Sequence, residues 1–326
     1  MLEGWIMEVA VQGDALVVKV PGEMAGAPCR KLLSVLSLPE GFIRRLFRDG
    51  AVRVGHAPAG PEDPLVSGQR VRLTGGVEED EPLIERIPEG ASGWPPVEVL
   101  FEDDHQLVVH KPAGVLVHPG GPEDSDTMDH RVAWHLQWQG LRRRARHVHR
   151  LDRDTTGALV YAKHAYAARA LDQQLAEGAL TRVYWALVAG RLIPESGVID
   201  APIGRDRHVA GRYRVSPSGK PARTEYATLA AVRQANGWVS LVECRLGTGR
   251  THQIRVHLAS RGCPVVGDVL YGGGPGAGAV RWPGGHALHA RWVAFHHLYS
   301  GGRTEVEAPL PEAFETVLER LELWPR

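Results

Sequence analysis

The stretch HVHRLDRDTTG, residues 147–157, gathers two histidines, two arginines and two aspartates around one leucine before it ends in Thr-Thr-Gly. Thr155, Thr156 and Gly157 are turn formers, and the apolar run ALVYA follows them. The segment therefore reads as a loop that delivers side chains at the start of a sheet strand. Asp152 lies close to Arg150 and Arg153, and neighbouring guanidinium groups lower a carboxylate's pKa and keep it ionised. In a cleft such a carboxylate serves as a nucleophile, a base or a metal ligand. On an open surface it is an ordinary ion pair. The chain also holds 16 histidines, and HVH at 147–149 has the close spacing of a zinc pair. A zinc site needs further ligands and an open position, and the sequence offers no complete set, so no metal is expected.

The elements that would position this loop follow from the hydrophobic pattern. VEVLFEDDHQLVVHKPAG reads as two strands around a polar turn, and AYAARALDQQLAEG as an amphipathic helix with Leu171 and Leu175 on one face and Gly178 as its stop. RVYWALVAG alternates like a strand, RTEYATLAAV and GWVSLVECRL form a hairpin across RQANG, and THQIRVHLASRG reads as a helix capped by Thr251. Strands mostly follow strands, with a few helices between. That order predicts an α+β domain: a mixed, largely antiparallel sheet with helices packed on it. This domain should run over 97–326. The acidic, proline-rich stretch before it, 77–96, has the composition of a linker.

Residues 1–76 form a separate small unit in this reading. RKLLSVLSLPEGFIRRLFRDG carries two short apolar stripes, Leu32, Leu33 and Leu36, then Phe42, Ile43, Leu46 and Phe47, with Gly50 as the stop of the second helix. AVRV and QRVRL then alternate like strands. The unit resembles the small αL RNA-binding module of ribosomal proteins and RNA-modifying enzymes. That resemblance implies that Arg44, Arg45 and Arg48 of the second helix face RNA.

Lysine plus arginine and aspartate plus glutamate each number 38, so the formal charge is zero. The distribution is uneven: residues 142–150 carry five arginines and no acid, whereas residues 78–89 carry six acids and one arginine. Segregation of this kind gives a neutral protein a basic face able to steer a phosphate chain. No apolar run approaches the roughly 18 residues of a membrane span, and the first residues lack a secretory pattern. Three scattered cysteines suit a reducing cytoplasm.

The string HRLDRDTTG resembles the catalytic motif of the RluA-type pseudouridine synthases, with Thr156 where that family more often has serine. KPAGVLVHPG (111–120), RVYWALVAG (182–190), GTGRTHQIRVHLAS (247–260) and ALHARWVAFHH (287–297) resemble its other motifs in the same order, His297 standing where a proline is more usual. The resemblance covers roughly 97–316, and five ordered motifs are far more specific than one. It implies the pseudouridine synthase fold with a central cleft, and isomerisation of uridine to pseudouridine in RNA without a cofactor. It implies Asp152 as the nucleophile or base at the sugar, Arg255 as its ion-pair partner and Tyr184 stacked on the uracil. Ile254 would be an apolar floor, Arg150 would fill the gap left by the flipped base, and Arg250 would hold a phosphate, with His149 also at the substrate. Arg142, Arg143 and Arg144 would add RNA contacts. The expected partner is large-subunit ribosomal RNA, with tRNA as the competitor, acted on by a cytoplasmic monomer. A non-catalytic RNA-binding protein would keep the basic patches and would not need Asp152, Tyr184 and Arg255 together.

Overall fold

A computed structural model describes residues 7–77, 94–141, 143–144, 146–274 and 277–325. In the N-terminal unit, β1 (Val9–Gln12) and β2 (Ala15–Lys19) form a hairpin, followed by helices α1 (Cys29–Val35) and α2 (Glu40–Arg48). Strands β3 (Val52–Val54), β4 (Ala57–Pro58) and β5 (Arg70–Thr74) complete a five-stranded sheet of order β1-β2-β5-β3-β4. The two helices bury Leu32, Leu33, Ile43 and Leu46, the stripes that the sequence pattern marks, and Gly50 turns the chain with φ +66° just past α2.

The main sheet has ten strands. It begins with β6 (Glu98–Glu102) and β7 (Gln106–Lys111), passes helix α3 (Met128–Trp138), and continues with β8 (Arg146–His147) and β9 (Thr156–Ala162). Helix α4 (Ala165–Ala176) leads into β10 (Thr181–Ala189) and β11 (Ser196–Asp200). A small separate hairpin, β12 (Ile203–Arg205) with β13 (Tyr213–Val215), comes before the long hairpin β14 (Arg223–Gln234) and β15 (Gly237–Leu246). Helix α5 (Gln253–Ser260), strands β16 (Leu288–His296) and β17 (Arg303–Glu307), and helix α6 (Glu312–Arg320) close the chain. The strand order is β11-β14-β15-β10-β16-β9-β7-β6, with β17 beside β16 and β8 beside β9. Among the described residues β16 and β9 form the one parallel pair of this otherwise antiparallel sheet, matching His289 with Thr156 and Ala290 with Gly157. This is the mixed, largely antiparallel architecture that the order of elements predicts.

That parallel junction explains the glycine of HRLDRDTTG. Gly157 has φ +109°, and a Cβ there would lie 2.2 Å from the Ala290 carbonyl oxygen. Only glycine lets β9 close onto β16 directly after the loop. Beyond it the strand alternates: Leu159 and Tyr161 enter one apolar cluster, with Tyr184, Ile254, Leu258 and Phe314, while Ala158, Val160 and Ala162 enter another.

The second cluster also contains Leu16, Leu33, Leu46 and Leu73 of the N-terminal unit, together with Tyr166 of α4 and Phe295 of β16. Tyr166 donates from its hydroxyl to the Thr74 carbonyl at 2.8 Å and meets the Phe42 ring edge-on at 5.9 Å. The N-terminal unit therefore covers one face of the main sheet. Of the expected linker, residues 78–93 lie outside the described residues.

The start of α5 departs from the sequence reading. Thr251 does not cap the helix; the residue before it, His252, is left-handed and offers no side-chain cap. The Gln253 side-chain oxygen instead accepts the Arg250 N–H at 3.0 Å and the Thr248 hydroxyl at 2.7 Å.

Candidate active site

Asp152 leaves the loop at the edge of the parallel junction, and Arg255 comes up from the first turn of α5. Arg255 Nη1 donates to Asp152 Oδ2 at 3.0 Å. The other edge of the guanidinium is taken by Asp268, whose two oxygens accept from Nε at 2.6 Å and Nη2 at 2.9 Å. The Tyr271 ring lies 5.1 Å from the same guanidinium. Arg255 and Asp268 are enclosed, with 8% and 1% of their side chains exposed, whereas Asp152 keeps 22%. The partly exposed carboxylate is thus the one with an oxygen that no hydrogen bond engages among the described residues. Burial alone would raise the Asp152 pKa; the electrostatic influence of His252, Arg255 and His286 and the Arg255 hydrogen bond outweigh it and hold the carboxyl below its ordinary value. The two carboxylates raise the Arg255 pKa in spite of its burial. The result is a fixed cation between a hidden anion and an accessible one, suited to covalent or proton-abstracting chemistry at an electrophilic carbon.

The loop itself is held from three sides. Lys111, fully buried at the end of β7, donates to the carbonyls of Pro112 at 2.8 Å, Val115 at 2.6 Å and Arg153 at 2.7 Å. Burial pushes its ammonium down to about 7, against the opposing charges of Asp154 and Asp152. Thr155 Oγ1 lies 2.7 Å from His286 Nε2. Thr156 Oγ1 lies 2.7 Å from Nδ1 of His289, whose Nε2 faces the Ala308 carbonyl at 3.4 Å. Nε2 therefore carries the ring proton, and Thr156 donates to Nδ1. A hydroxyl is what this position uses, which explains why threonine serves where serine is more usual.

Tyr184 stands on β10 between Cys244 of β15 and Ala290 of β16, and with Leu151 and Ile254 it belongs to the apolar cluster beneath the loop. Burial raises its phenol pKa, and the negative charge of Asp152 adds to that. The structure thus brings Asp152, Arg255, Tyr184 and Ile254 together. Arg150 is exposed and makes no ion pair among the described residues, and Arg250 is exposed with its Nε donating to the Pro221 carbonyl at 2.9 Å.

Two expected contacts fall elsewhere. His149 is only 5% exposed, and its Nε2 accepts the Val160 N–H at 3.3 Å; burial drives its pKa well down, so this imidazole is a neutral pin between loop and strand. Arg143, read as part of a basic surface, is 9% exposed and donates to the Asp104 carbonyl at 3.1 Å. Arg144 is exposed, and Arg142 lies outside the described residues. On α2, Arg44, Arg45 and Arg48 are all exposed. Asp268, Lys111, His252 and Tyr271 escaped sequence reasoning; the visible signals were the glycine-flanked GDVLYGGG after α5 and the lysine that opens KPAG. No group of three or more His, Cys, Asp or Glu is gathered as a metal site among the described residues, and no helix among them is long and apolar enough to cross a membrane.

The sequence over residues 105–260 matches the family described as RNA pseudouridylate synthase. The chain is 46% identical over 215 residues to the uncharacterized RNA pseudouridine synthase YhcT of Bacillus subtilis, covering 66% of this chain and 69% of that protein. It is 37% identical over 318 residues to ribosomal large subunit pseudouridine synthase D of Nitrosomonas europaea, covering 94% and 88% of the two. Among solved structures it is similar to human RNA pseudouridylate synthase domain containing 4, with a TM-score of 0.56 and 25% identity over 70% of this chain and 95% of that one.

Proposed function

The chain belongs to the RNA pseudouridine synthase family and is an RNA pseudouridine synthase, and from that premise we propose that it acts on large-subunit ribosomal RNA through Asp152. The observation that carries the catalytic reading is the Asp152–Arg255–Asp268 arrangement, which leaves one carboxylate ionised, partly exposed and backed by a buried cation. The ribosomal reading is supported by the relatives named ribosomal large subunit pseudouridine synthase D, to which this chain is 36–37% identical over 93–94% of its length.

The target uridine leaves the stack to reach the cleft. Asp152 either attacks C1′ or takes the C2′ proton. The N1–C1′ bond breaks, the uracil turns over the apolar floor of Tyr184 and Ile254, and C5 joins C1′. Tyr184 stacks on the base, and its hydroxyl helps remove the C5 proton. Arg150 at the rim fills the gap in the RNA, and Arg250 and Arg144 meet phosphates. The unit over residues 1–76 adds RNA contacts through α2, and residues 97–326 carry the chemistry.

Asp152→Asn tests this. The amide keeps the shape and cannot attack or accept the proton. Tritium release from C5-labelled uridine RNA should vanish while filter binding of the same RNA persists; turnover near the wild-type rate removes Asp152 from the mechanism.

A further inference from the structure

One polar group at the edge of this site has no role in the scheme above. His252 precedes α5 with φ 56° and ψ 22°. Non-glycine residues adopt this left-handed conformation uncommonly, and it clusters at functional sites. The imidazole is clamped: the rings of Tyr213 and Tyr271 meet it edge-on, with centroids at 5.6 Å and 5.7 Å. Tyr271 Oη accepts the Tyr213 N–H at 2.9 Å and lies 2.9 Å from His252 Nδ1. A phenol has one proton, and among the described residues Tyr271 has no other acceptor for it. That proton therefore goes to Nδ1, and the imidazole carries its own proton on Nε2. Burial and the Arg255 charge lower the His252 pKa, against Asp152 and Asp268, which favours the neutral ring. Nε2 has no partner among the described residues and is not among the enclosed polar atoms. His252 is thus a rigid, neutral N–H donor, three residues before Arg255 on the approach to Asp152.

Resting on the reading that Asp152 opens the glycosidic bond, we propose that His252 Nε2–H donates to a carbonyl oxygen of the target uracil and stabilises the charge this base acquires. When N1–C1′ breaks, the electron pair stays with the uracil and spreads onto O2 and O4. This holds whether Asp152 bonds to C1′ or removes the C2′ proton. The charge leaves the base when its electron pair bonds C5 to C1′, as Asp152 departs as a carboxylate or returns its proton to C2′; the C5 proton then leaves and N1 takes one up with no change of charge. A neutral donor can serve that anion without competing with Arg255 for Asp152. The two tyrosines fix it before the charge develops, which is the condition under which such a donor acts most strongly.

Two variants separate this role from a structural one. Asn at 252 tolerates the left-handed backbone and can still meet Tyr271 from the Nδ1 position, but it does not reach Nε2. Gln reaches the Nε2 position with an amide N–H. Steady-state tritium release from C5-labelled RNA should show kcat falling about a hundredfold in His252→Asn, the lower range for loss of one such donor. KM should change little, and His252→Gln should recover most of kcat. Melting temperatures of both variants report folding. If His252 only anchors Tyr271 and the start of α5, the order reverses, Asn working and Gln failing; that result, or equal rates in the two variants, overturns the proposal. Asp152→Asn assayed alongside distinguishes the failures. If it is active, the underlying reading falls; if it is dead while His252→Asn is fully active, only the role of His252 falls.

Discussion

Arg255 and the arginines of α2 carry the same charge and put it to opposite uses. Arg255 is enclosed and answers two carboxylates through three hydrogen bonds. Arg44 and Arg48 lie in the open with local acids, Glu40 at 3.8 Å and Asp49 at 3.0 Å, and Arg45 stacks over Phe42 at 5.7 Å. In water such exposed pairs contribute between nothing and about 1 kcal/mol each. Inside the fold a single unpaired charge is expensive, so each member of the buried trio depends on the others. One region places a charge with precision by burying it. The other holds its charges loosely in water, and in the proposed function offers them to a polyanion, whose counterions are released on binding. The same substitution should therefore be severe in one region and mild in the other.

Arg255→Met should give the largest effect. Asp152 and Asp268 would face each other across an apolar side chain, and burial, which already favours the protonated acid, would be opposed by less positive charge. The Asp152 pKa rises, so a smaller fraction is ionised at neutral pH. Turnover drops strongly, and the acid limb of the pH–rate profile moves to higher pH. The profile of the folded variant checks this, with its melting temperature measured in parallel. An unshifted acid limb in a folded, fully active variant would show that Arg255 does not govern the carboxylate.

Lys111→Met comes next. It is a positioning residue: its three N–H groups tie the KPAG turn to the Arg153 carbonyl, one residue from Asp152. The charged form alone can serve all three carbonyls. Leaving carbonyls unpaired costs about 1–3 kcal/mol each, offset in part by no longer burying an ammonium, so the net loss of stability should be roughly 2–4 kcal/mol. Because burial lowers the folded-state pKa to about 7, the wild type binds fewer protons folded than unfolded above that pH, and this lysine's contribution to stability improves as pH rises from 7 toward its unfolded value. Denaturant midpoints of both proteins at several pH values test this. The difference between wild type and Lys111→Met should change across that window; a constant difference would mean that Lys111 does not titrate there.

How far the sequence carries the argument differs between these groups for physical reasons. Asp152 stands out because its signature is contiguous, and Tyr184, Ile254 and Arg255 because they lie in two short motifs, RVYWALVAG and GTGRTHQIRVHLAS. Asp268 does not: it meets Arg255 only after the chain has left α5 and turned through GDVLYGGG, and no periodicity links the two. Lysine is ordinarily exposed, so nothing in KPAG declares that Lys111 is wholly buried. Three consecutive arginines look alike in sequence, yet Arg143 turns inward to the Asp104 carbonyl while Arg144 stays out. Strands β3, β5, β6, β7, β9, β10, β14 and β15 follow from alternation and turns, and the largely antiparallel sheet from strands following strands. The docking of the N-terminal unit does not, because each of its apolar stripes could equally have been sealed within that unit. Val108, Val160 and Phe295 of the main sheet share one core with Leu16 and Leu33.

That shared core decides how the mildest prediction must be made. Deleting residues 1–76 would strip a face of the catalytic sheet, and weaker RNA binding could then come from damaged packing as easily as from missing charge. Replacing Arg44, Arg45 and Arg48 together by Gln leaves Ile43 and Leu46, the buried side of α2, in place. If these guanidinium groups meet phosphates, each phosphate that is no longer neutralised should reduce the slope of log affinity against log salt by about 0.7–0.9. The effect should be largest at low salt and shrink as counterions screen what remains. Filter binding of a structured ribosomal RNA fragment across a salt series measures the slope directly. A weakened affinity with an unchanged slope would mean that the variant altered shape rather than charge. An unchanged affinity at every salt would make α2 a cover for the sheet and leave RNA recognition to the rim around Arg150.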